Sequence, residues 1–307
     1  MARPKPELWT TRRLLSWMNE AFTRKGLDSP RLSAEVLLAH VIGCERLRLY
    51  MDVDRPANDI ERAALRDLVK RAMDDEPVQY LTGEAWFFGL RLRVDRRVLV
   101  PRPCTELLVE QVLHHCKSRP GFGGKSGDGV LIADVCTGSG AVALALAKHL
   151  TGARVVATDI SAEALDVARE NAESLGLTDR VEFVEGDLLD ALAKHPAAGQ
   201  EAELAFLVSN PPYIPDDEWD AVPTNVREHE PTLALRGGMD GLALARPLLT
   251  EGPRLVRQGG LVLVEVAASR AAEALSIAEG SPRIGRADVL KDLEGLDRVI
   301  RAEVSAG

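Results

Sequence analysis

The sequence predicts an α/β protein in which a doubly wound sheet follows a small helical N-terminal domain. Strand and helix patterns alternate repeatedly from Val130 onward, and the strands are apolar runs rich in β-branched residues. The chain before Pro77 shows only helical periodicity. Sheets of this kind bind ligands in the crevice at the carboxyl ends of their strands, so that edge is the place to look for function.

Composition excludes several classes of protein. The 307 residues are 46% hydrophobic and 28% charged, which is ordinary for a soluble globular protein, and the net charge of −9 argues against a general nucleic-acid binder. No run is long enough to span a membrane, and no apolar signal segment follows the basic N-terminus. We therefore expect a cytoplasmic monomer without membrane association. The scattered cysteines indicate reduced thiols, and we expect no metal site.

Residues 1–84 are predicted to form the helical domain. In "SPRLSAEVLLAHVIG", Ser29 and Pro30 suit a helix start and Gly43 suits its end. Between them the apolar positions form one helical stripe: Ala34, Leu37, Leu38, Val41 and Ile42. A further helix is predicted in "DIERAALRDLVKRAMDDE". This domain contains no glycine-rich loop and no catalytic cluster, so we assign it to substrate recognition.

Residues 85–103 are predicted to form a hairpin that bridges the two domains. Leu90, Leu92 and Val94 alternate with charged residues, as in a half-buried strand. The apolar run from Val98 to Val100 is the expected second strand. The α/β domain then occupies residues 104–307. Its predicted strands lie in "VLIADV", "RVVATD", "VEFVEGD", "ELAFLVSN" and "GLVLVEVA".

The first functional feature is the turn "DVCTGSGA", Asp134 to Ala141, between a strand and a helix. Gly138 and Gly140 permit a tight turn and close backbone approach, and the following helix offers free N–H groups. No GK[ST] follows, so this is not a P-loop, and Ala143 occupies the third glycine position of the dinucleotide fingerprint. On its own the turn is also consistent with a plain strand-to-helix connection.

Acidic residues follow the next two strands. Asp159 ends "RVVATD" and is placed to accept both hydroxyls of a ribose. Ser161 is available to cap the next helix, which leaves Asp159 for a ligand. Asp187 follows the third strand, where an adenine edge would lie, and Leu188 offers an apolar wall beside it.

The fourth strand ends in "SNPPY", Ser209 to Tyr213. Two prolines cannot continue a central strand, but they fix the directions of backbone carbonyls. A glycine turn, two acidic residues and Asn-Pro-Pro-Tyr at successive strand ends resemble class I S-adenosylmethionine-dependent methyltransferases that act on planar nitrogens. The Asn210 side-chain carbonyl and the Pro211 carbonyl can each accept one N–H of such a nitrogen, and Tyr213 can stack on its planar group.

That motif leaves adenine, cytosine, guanine and glutamine amides open as acceptors. Further segments resemble the HemK/PrmC family of protein-glutamine N5-methyltransferases: "EPVQYLTG", "FFGL", "VLVPRPCTELLVE", "EHEPTLALRGGMDGLALAR" and "KDLEGLDRV". The resemblance extends over nearly the whole chain. It implies a Rossmann-like fold and methylation of the glutamine in the Gly-Gly-Gln motif of class 1 peptide chain release factors, which would be the protein partner.

The resemblance also implies the site residues. S-adenosylmethionine is expected to contact Cys136, Thr137, Gly138, Ser139, Gly140, Asp159, Leu188 and Asn210, and the strand-end argument adds Asp187. The glutamine is expected to contact Asn210, Pro211, Pro212, Tyr213 and Phe88.

The chain departs from the family pattern at a few positions. Cys136 stands where the family often has glycine, and we expect cofactor binding to survive if its φ is negative. Cys104 replaces a glutamate of "RPETE", and Ala267 and Arg270 depart from "EIGxxQ", whose glutamate is kept as Glu265.

Three alternative functions remain open on the sequence. They are methylation of a glutamine in a large-subunit ribosomal protein, methylation of a nucleic-acid exocyclic amine, and cofactor binding without turnover. The net charge and the absence of a target-recognition insertion count against the nucleic acid. The intact Asn210-Pro211-Pro212-Tyr213 motif counts against the loss of turnover.

Overall fold

The computed structural model describes residues 8–193, 195–201 and 203–305. Their contacts divide the chain into two compact units. One unit runs to Gly83 and includes the separate segment Thr224–His229, and the other comprises Glu84–Pro223 and the chain from Glu230 onward.

The first unit is helical, as the sequence predicts. Its consecutive helices are α1 (Thr11–Lys25), α2 (Pro30–Ile42), α3 (Arg46–Met51), α4 (Asp59–Met73) and α5 (Val78–Thr82). They enclose an apolar core whose most buried large side chains are Met18, Phe22, Leu37, Leu38 and Leu65.

Local sequence explains where these helices begin and end. Pro30 opens α2, and Gly43 closes it at a left-handed φ of 72° that costs glycine little. Asn58 and Glu61 form a reciprocal capping box at the start of α4. The predicted apolar stripe of α2 is confirmed, since Ala34 and Leu37 are buried with the rest of its core-facing side.

The predicted strand around Leu90 and Leu92 forms, but its hairpin partner precedes it in the chain and does not follow it. Strand β1 (Glu84–Phe87) pairs antiparallel with β2 (Leu90–Arg93) across a tight turn. The prediction that Val98–Val100 is the second strand is wrong, because the backbone N–H of Val100 donates to the carboxylate of Glu230 instead of to a neighbouring strand. Residues 94–102 form an extended loop, here called the strap.

The second unit is built on a seven-stranded sheet. Its strands are β3 (Leu131–Val135), β4 (Arg154–Asp159), β5 (Val181–Glu185), β6 (Leu204–Ser209), β7 (Val256–Glu265), β8 (Ile284–Lys291) and β9 (Asp297–Val304). The spatial order is β5-β4-β3-β6-β7-β9-β8. Strands β3 to β7 are mutually parallel, and β9 lies antiparallel between β7 and β8.

Helices cover both faces of this sheet, as a doubly wound fold requires. They are α6 (Glu106–Ser118), α7 (Ala141–His149), α8 (Ala162–Leu175), α9 (Leu188–Ala193), α11 (Ala245–Thr250) and α12 (Ala271–Glu279). The short helix α10 (Thr224–Arg227) is grouped with the first unit. Alternate residues of β7 enter different cores: Leu261 and Leu263 pack with α6 and α7, and Val262 and Val264 pack with α9, α11 and α12. The five predicted parallel strands are therefore confirmed.

Candidate functional site

The register of the sheet brings the predicted strand-end features to one edge. Val135 pairs with Thr158 on one side and with Ser209 on the other. Ser209 in turn pairs with Val264 of β7. The residues that follow these four therefore stand in a row along the carboxyl edge of the sheet: Asp159, Cys136, Asn210 and Glu265. The chain order reverses beside β3, so this edge contains the topological switch point at which such sheets bind ligands.

A cavity opens at this edge, and most of the predicted site residues line it. The predicted residues in its lining are Cys136, Thr137, Gly138, Ser139, Asp159, Asp187, Leu188, Asn210 and Pro212. Predicted residues outside the lining, as the described part of the chain defines it, are Gly140, Pro211, Tyr213 and Phe88. Features predicted from separate strands thus share a single cavity.

The glycine turn lines the cavity with Cys136, Thr137, Gly138 and Ser139. Gly138 and Gly140 adopt φ values of 55° and 80°, in the left-handed region. A Cβ at Gly140 would lie 3.1 Å from a Leu144 methyl group and 3.2 Å from Ala168, so α7 and α8 approach the turn closely. Although Gly140 does not line the cavity, it permits this tight packing.

The backbone conformation of Cys136 differs from the one expected from the sequence. Its φ is 61°, so the expectation of a negative φ at this position is wrong. The left-handed conformation is unfavourable for a side-chain-bearing residue, by roughly 1–2 kcal/mol. Packing offsets this strain, since the thiol contacts the core that includes α9 and α11. Burial raises the pKa of the Cys136 thiol well above its ordinary value, so this sulfur remains protonated.

Asp134 is a site residue that the sequence reasoning did not select. It is fully buried, and its Oδ2 accepts from Thr137 Oγ1 at 2.6 Å and from the Ala143 N–H at 3.0 Å. Its carboxyl therefore ties the glycine turn to the start of α7. Burial raises the pKa of Asp134 to about 7, against the effect of these two hydrogen bonds. The signal was present, because an acidic residue inside a buried apolar strand needs partners.

Asp159 is held in place by the turn that it faces. The Gly138 N–H donates to its Oδ2 at 2.9 Å, and the Ser161 N–H donates to its Oδ1 at 2.9 Å. Ser161 Oγ accepts from the Ala164 N–H, as predicted, and so caps α8. Each oxygen of Asp159 keeps an acceptor site for a further donor. Burial raises the pKa of this carboxyl.

Asp187 and Leu188 lie where β5 passes into α9. Leu188 has a φ of 39°, outside the common regions for a branched residue. The Asp187 carbonyl accepts the first main-chain hydrogen bond of α9, from the Ala191 N–H, and within the described residues no donor is assigned to its carboxyl. Both residues line the cavity, beside the loop that precedes them.

Asn210 is the residue of the proline motif whose contacts are best defined. Its Nδ2 donates to Thr105 Oγ1 at 3.2 Å. Within residues 8–193, 195–201 and 203–305, no donor is assigned to its Oδ1. Because Asn210 lines the cavity, this carbonyl oxygen is available to a ligand.

A glycine-rich segment packs against the backbone at Tyr213 and Ile214. The Ile214 N–H donates to the Leu235 carbonyl, and the Gly237 N–H donates back to Ile214. A Cβ at Gly241 would lie 2.6 Å from the Tyr213 carbonyl oxygen, and Gly241 has a φ of 71°. The segment "RGGMDG" therefore needs these glycines so that its backbone can pack against the chain leaving the proline motif.

The strap forms a wall of the cavity that the sequence reasoning missed. Val98, Leu99 and Pro101 line the cavity from this loop. Glu230, only 4% exposed, accepts from the Val100 N–H at 3.1 Å and pairs with Arg102. One buried carboxylate thus fixes the loop that was predicted to be a strand.

Phe88 lies away from this cavity. It occupies the turn of the β1–β2 hairpin, where its N–H donates to Glu106 Oε1, and its ring meets His149 edge-on at 5.1 Å between centroids. His149 ends α7, whereas the cavity lies at the start of that helix. Glu106, which accepts from Phe88, directly follows Thr105 of the cavity lining, so the substrate contact of Phe88 stays a prediction.

The sheet order, the glycine turn and the acidic strand ends define a class I S-adenosylmethionine-dependent methyltransferase fold. Comparison with known proteins agrees. Residues 13–83 match the family model described as the PrmC N-terminal domain, and residues 132–229 match one described as a methyltransferase domain.

Relatives match over almost the whole chain. The release factor glutamine methyltransferase of Chlorobaculum tepidum is 42% identical, over 96% of this chain and 97% of that protein. The enzyme of the same name from Rhodopirellula baltica is 40% identical, over 95% of each. The chain therefore belongs to the release factor glutamine methyltransferase family.

A solved structure of a methyltransferase domain described as delta-N METTL16 has the same fold. The TM-score is 0.50 at 18% identity, covering 72% of this chain and 90% of that one. Among the described residues, no group of three His, Cys, Asp or Glu side chains is arranged to hold a metal ion. No helix within the same residues is long and apolar enough to cross a membrane.

Proposed function

We propose that this protein transfers the methyl group of S-adenosylmethionine to the side-chain amide nitrogen, N5, of the glutamine in the Gly-Gly-Gln motif of class 1 peptide chain release factors. The observation that carries the proposal is the position of Asn210. It presents a free carbonyl oxygen to a cavity that also contains the glycine turn and Asp159, in a chain of this family.

The cavity fits the cofactor in its donor set. Ser139 of the glycine turn lines the cavity, and its N–H has no assigned acceptor among the described residues, so it can bond the carboxylate end of S-adenosylmethionine. The N–H groups of Thr137, Gly138 and Gly140 already bond Thr158, Asp159 and Thr137. Asp159 has acceptor capacity for the ribose hydroxyls, while Asp187 and Leu188 provide a polar and an apolar neighbour for the adenine. When bound, the cofactor supplies an electrophilic methyl group, so this chain has to orient a weak nucleophile.

The proline motif provides that orientation. An amide nitrogen is a poor nucleophile because its lone pair is delocalised into the carbonyl group. Asn210 Oδ1, at the cavity lining, accepts one of its two N–H bonds, and we assign the other to the carbonyl of the adjacent Pro211, which is itself outside the lining. Together they would hold the nitrogen beside the methyl group and favour a pyramidal geometry. Proline at 211 and 212 fixes this backbone without adding a competing donor.

The helical unit is proposed to recognise the release factor. Helix α3 exposes Leu47, Tyr50 and Met51, of which Leu47 is 71% and Met51 75% exposed. The neighbouring Arg46 and Arg48 are also exposed. These five residues, the α3 patch, combine apolar contact area with the positive charge of Arg48, as protein interfaces commonly do. The Arg46 guanidinium forms an ion pair with Glu35. We also propose that the protein works as a monomer in the cytoplasm, where release factors act.

Methyl transfer from tritiated S-adenosylmethionine to a purified release factor tests the proposal. We expect label on the native protein and none on a variant whose Gly-Gly-Gln glutamine is changed to alanine. Label that persists on the alanine variant would exclude the glutamine as acceptor. If no release factor is labelled, large-subunit ribosomal proteins are the next substrates to assay. Cofactor binding without any labelled substrate would favour a protein without turnover.

A further inference from the structure

A buried threonine at the base of the cavity has no hydrogen-bond partner for its hydroxyl in the described chain. Thr158 is the next-to-last residue of β4 and lines the cavity, and it is 0% exposed. Its Oγ1 has no partner within residues 8–193, 195–201 and 203–305. A buried hydroxyl without a partner destabilises the folded state, so its place in this site needs an explanation.

Hydroxyls close to Thr158 have partners within the chain. Val135 pairs with Thr158 on one side and with Ser209 on the other, so the two hydroxyl residues stand in one row of the sheet. Ser209 Oγ donates to the Val135 carbonyl at 2.7 Å. In the cavity lining, Thr137 Oγ1 donates to Asp134 at 2.6 Å. Thr158 differs from both, and a molecule in the cavity can supply the partner that the chain does not.

The sheet places Thr158 between the residues proposed for the ribose and for the adenine. Val156, two residues earlier on β4, packs in the core that includes α9, so the Thr158 side chain faces the same side of the sheet. Leu188 begins α9 and packs against that core as well. Asp159, the proposed ribose residue, directly follows Thr158, and Asp187 and Leu188 are the proposed neighbours of the adenine. The Thr158 hydroxyl therefore lies at the adenine end of the proposed cofactor site.

Adenine needs a donor that the neighbouring carboxyl groups are not assigned to provide. The ribose hydroxyls and the exocyclic amine of adenine donate hydrogen bonds, and the carboxyl oxygens of Asp159 and Asp187 can accept them. The ring nitrogens N1, N3 and N7 carry lone pairs and no hydrogen, so they only accept. A threonine hydroxyl can rotate to donate to such an acceptor.

We infer that the Thr158 hydroxyl donates a hydrogen bond to a ring nitrogen of the cofactor's adenine. Thr158 is then a specificity-determining residue, because a base without an acceptor at that position leaves the buried hydroxyl unpaired. The inference rests on the proposed use of S-adenosylmethionine, but it concerns binding of the cofactor and not transfer of the methyl group.

The first test removes the hydroxyl. Thr158→Val keeps the side-chain shape, and the affinity for S-adenosylhomocysteine, the demethylated cofactor, should fall about 3- to 10-fold by calorimetry. Without ligand, the urea midpoint of unfolding should not fall, because the hydroxyl makes no hydrogen bond there. Thr158→Ser keeps a hydroxyl and should retain most of the affinity. A lower urea midpoint with unchanged affinity in Thr158→Val would show a structural role and overturn the inference.

Ser209→Ala is the matched control. Ser209 lies in the same row of the sheet, but its hydroxyl already has a partner. We expect the opposite pattern, namely a lower urea midpoint and an affinity for S-adenosylhomocysteine within about twofold of wild type. If Ser209→Ala loses as much affinity as Thr158→Val, any polar change in this row disturbs the site, and the assignment to Thr158 is wrong.

Analogues of the ligand identify the acceptor atom. The 1-deaza, 3-deaza and 7-deaza forms of S-adenosylhomocysteine each replace one ring nitrogen with a C–H group. One of them should bind the wild-type protein more weakly, and with that analogue Thr158→Val should cause no further loss, because the same hydrogen bond is already removed. A loss in Thr158→Val that persists with all three analogues would overturn the inference.

These binding measurements separate the inference from the proposed function. A wild-type protein that does not bind S-adenosylhomocysteine would contradict the proposed cofactor and this inference together. An affinity that Thr158→Val leaves unchanged overturns this inference alone, even if release factors are methylated. The expected pattern with the deaza analogues supports it even if they are not.

Discussion

Asn210 and Asp159 end strands on opposite sides of β3, and we assign them different tasks. Asn210→Ala removes the acceptor of the substrate N–H, so kcat for release-factor methylation should fall at least about 100-fold. Cofactor affinity should change little. Asp159→Ala should instead weaken S-adenosylmethionine binding about 10- to 100-fold, because two ribose hydroxyls lose an acceptor. Calorimetry measures the S-adenosylmethionine affinity of both variants, and initial rates give their kcat, so the cofactor-binding and catalytic roles can be told apart. Equal losses of cofactor affinity in the two variants would contradict the assignment of Asn210 to the substrate and Asp159 to the cofactor.

Asp134 predicts a pH dependence of stability. Its pKa is raised to about 7 in the folded protein, whereas an unfolded aspartate titrates near 3.9. Between these values the folded state binds more protons, so this carboxyl makes the free energy of unfolding fall as pH rises. The fall is at most about 1.4 kcal/mol per pH unit, and it ends above the folded pKa.

Asp134→Asn tests this dependence. Asparagine keeps an oxygen that can accept from Thr137 and Ala143 but does not ionise. Urea unfolding at pH 5 and pH 8 should show the variant gaining stability relative to wild type at the higher pH. The comparison is needed because burial raises the pKa of Glu230 and Glu265 in the same direction. A constant difference between variant and wild type would show that Asp134 does not titrate in this range.

The strap carries the main prediction at the scale of an element. Glu230→Ala removes the acceptor of the Val100 N–H and the partner of Arg102. We expect a loss of about 1–3 kcal/mol in the free energy of unfolding, together with weaker cofactor binding, because the strap lines the cavity. Glu230→Gln keeps an acceptor for Val100 and should lose less of both. Unaltered cofactor affinity in the alanine variant would show that the strap does not depend on this carboxylate.

Elements were predictable where the pattern is repeated and local. The five parallel strands are continuous apolar runs between helices, which is the pattern expected for parallel strands that are buried on both faces. The strap was not predictable, because its apolar run resembles a strand while its N–H partner, Glu230, lies 130 residues away. Strands β8 and β9 were also not predicted. Strand β8 lies at the edge of the sheet and carries charged residues such as Arg286 and Asp288, so its alternation is weak.

Within the site, too, features set by local sequence pattern were predictable and features set by tertiary contacts were not. Residues that follow strands, such as Asp159 and Asn210, were found because parallel strands end at one edge. Asp134 was missed because its role depends on two partners, Thr137 in the turn and Ala143 in α7. The positive φ of Cys136, whose side chain packs against the core that includes α9 and α11, was not visible in the sequence either. Phe88 was assigned from family likeness alone, and its contacts with His149 and Glu106 were not visible in the sequence.

At the scale of the whole molecule, the chain combines a helical unit with an α/β unit, and we assign recognition to the first and chemistry to the second. Leu47→Asp and Met51→Asp in the α3 patch should raise KM for a full-length release factor about tenfold, with kcat and cofactor affinity unchanged. A short Gly-Gly-Gln peptide should be methylated equally well by variant and wild type.

Ile60→Asp is the matched control for the α3 patch. Ile60 is 82% exposed on α4, so the change introduces the same charge at an exposed apolar residue outside the patch. KM for the release factor should stay at the wild-type value. An equal rise in KM for Ile60→Asp would attribute the effect to added negative charge and not to the α3 patch.

The position of β9 has a consequence for how the sheet is assembled as the chain is synthesised. Strand β7 ends at Glu265, but its neighbour β9 begins only at Asp297, after α12 and β8. Until those residues emerge, β7 presents an open edge of buried apolar residues. Strands β8 and β9 are adjacent in sequence and pair as a hairpin. We expect this hairpin to form first by local pairing and then to dock on β7, so that the sheet closes last at the end farthest from β5.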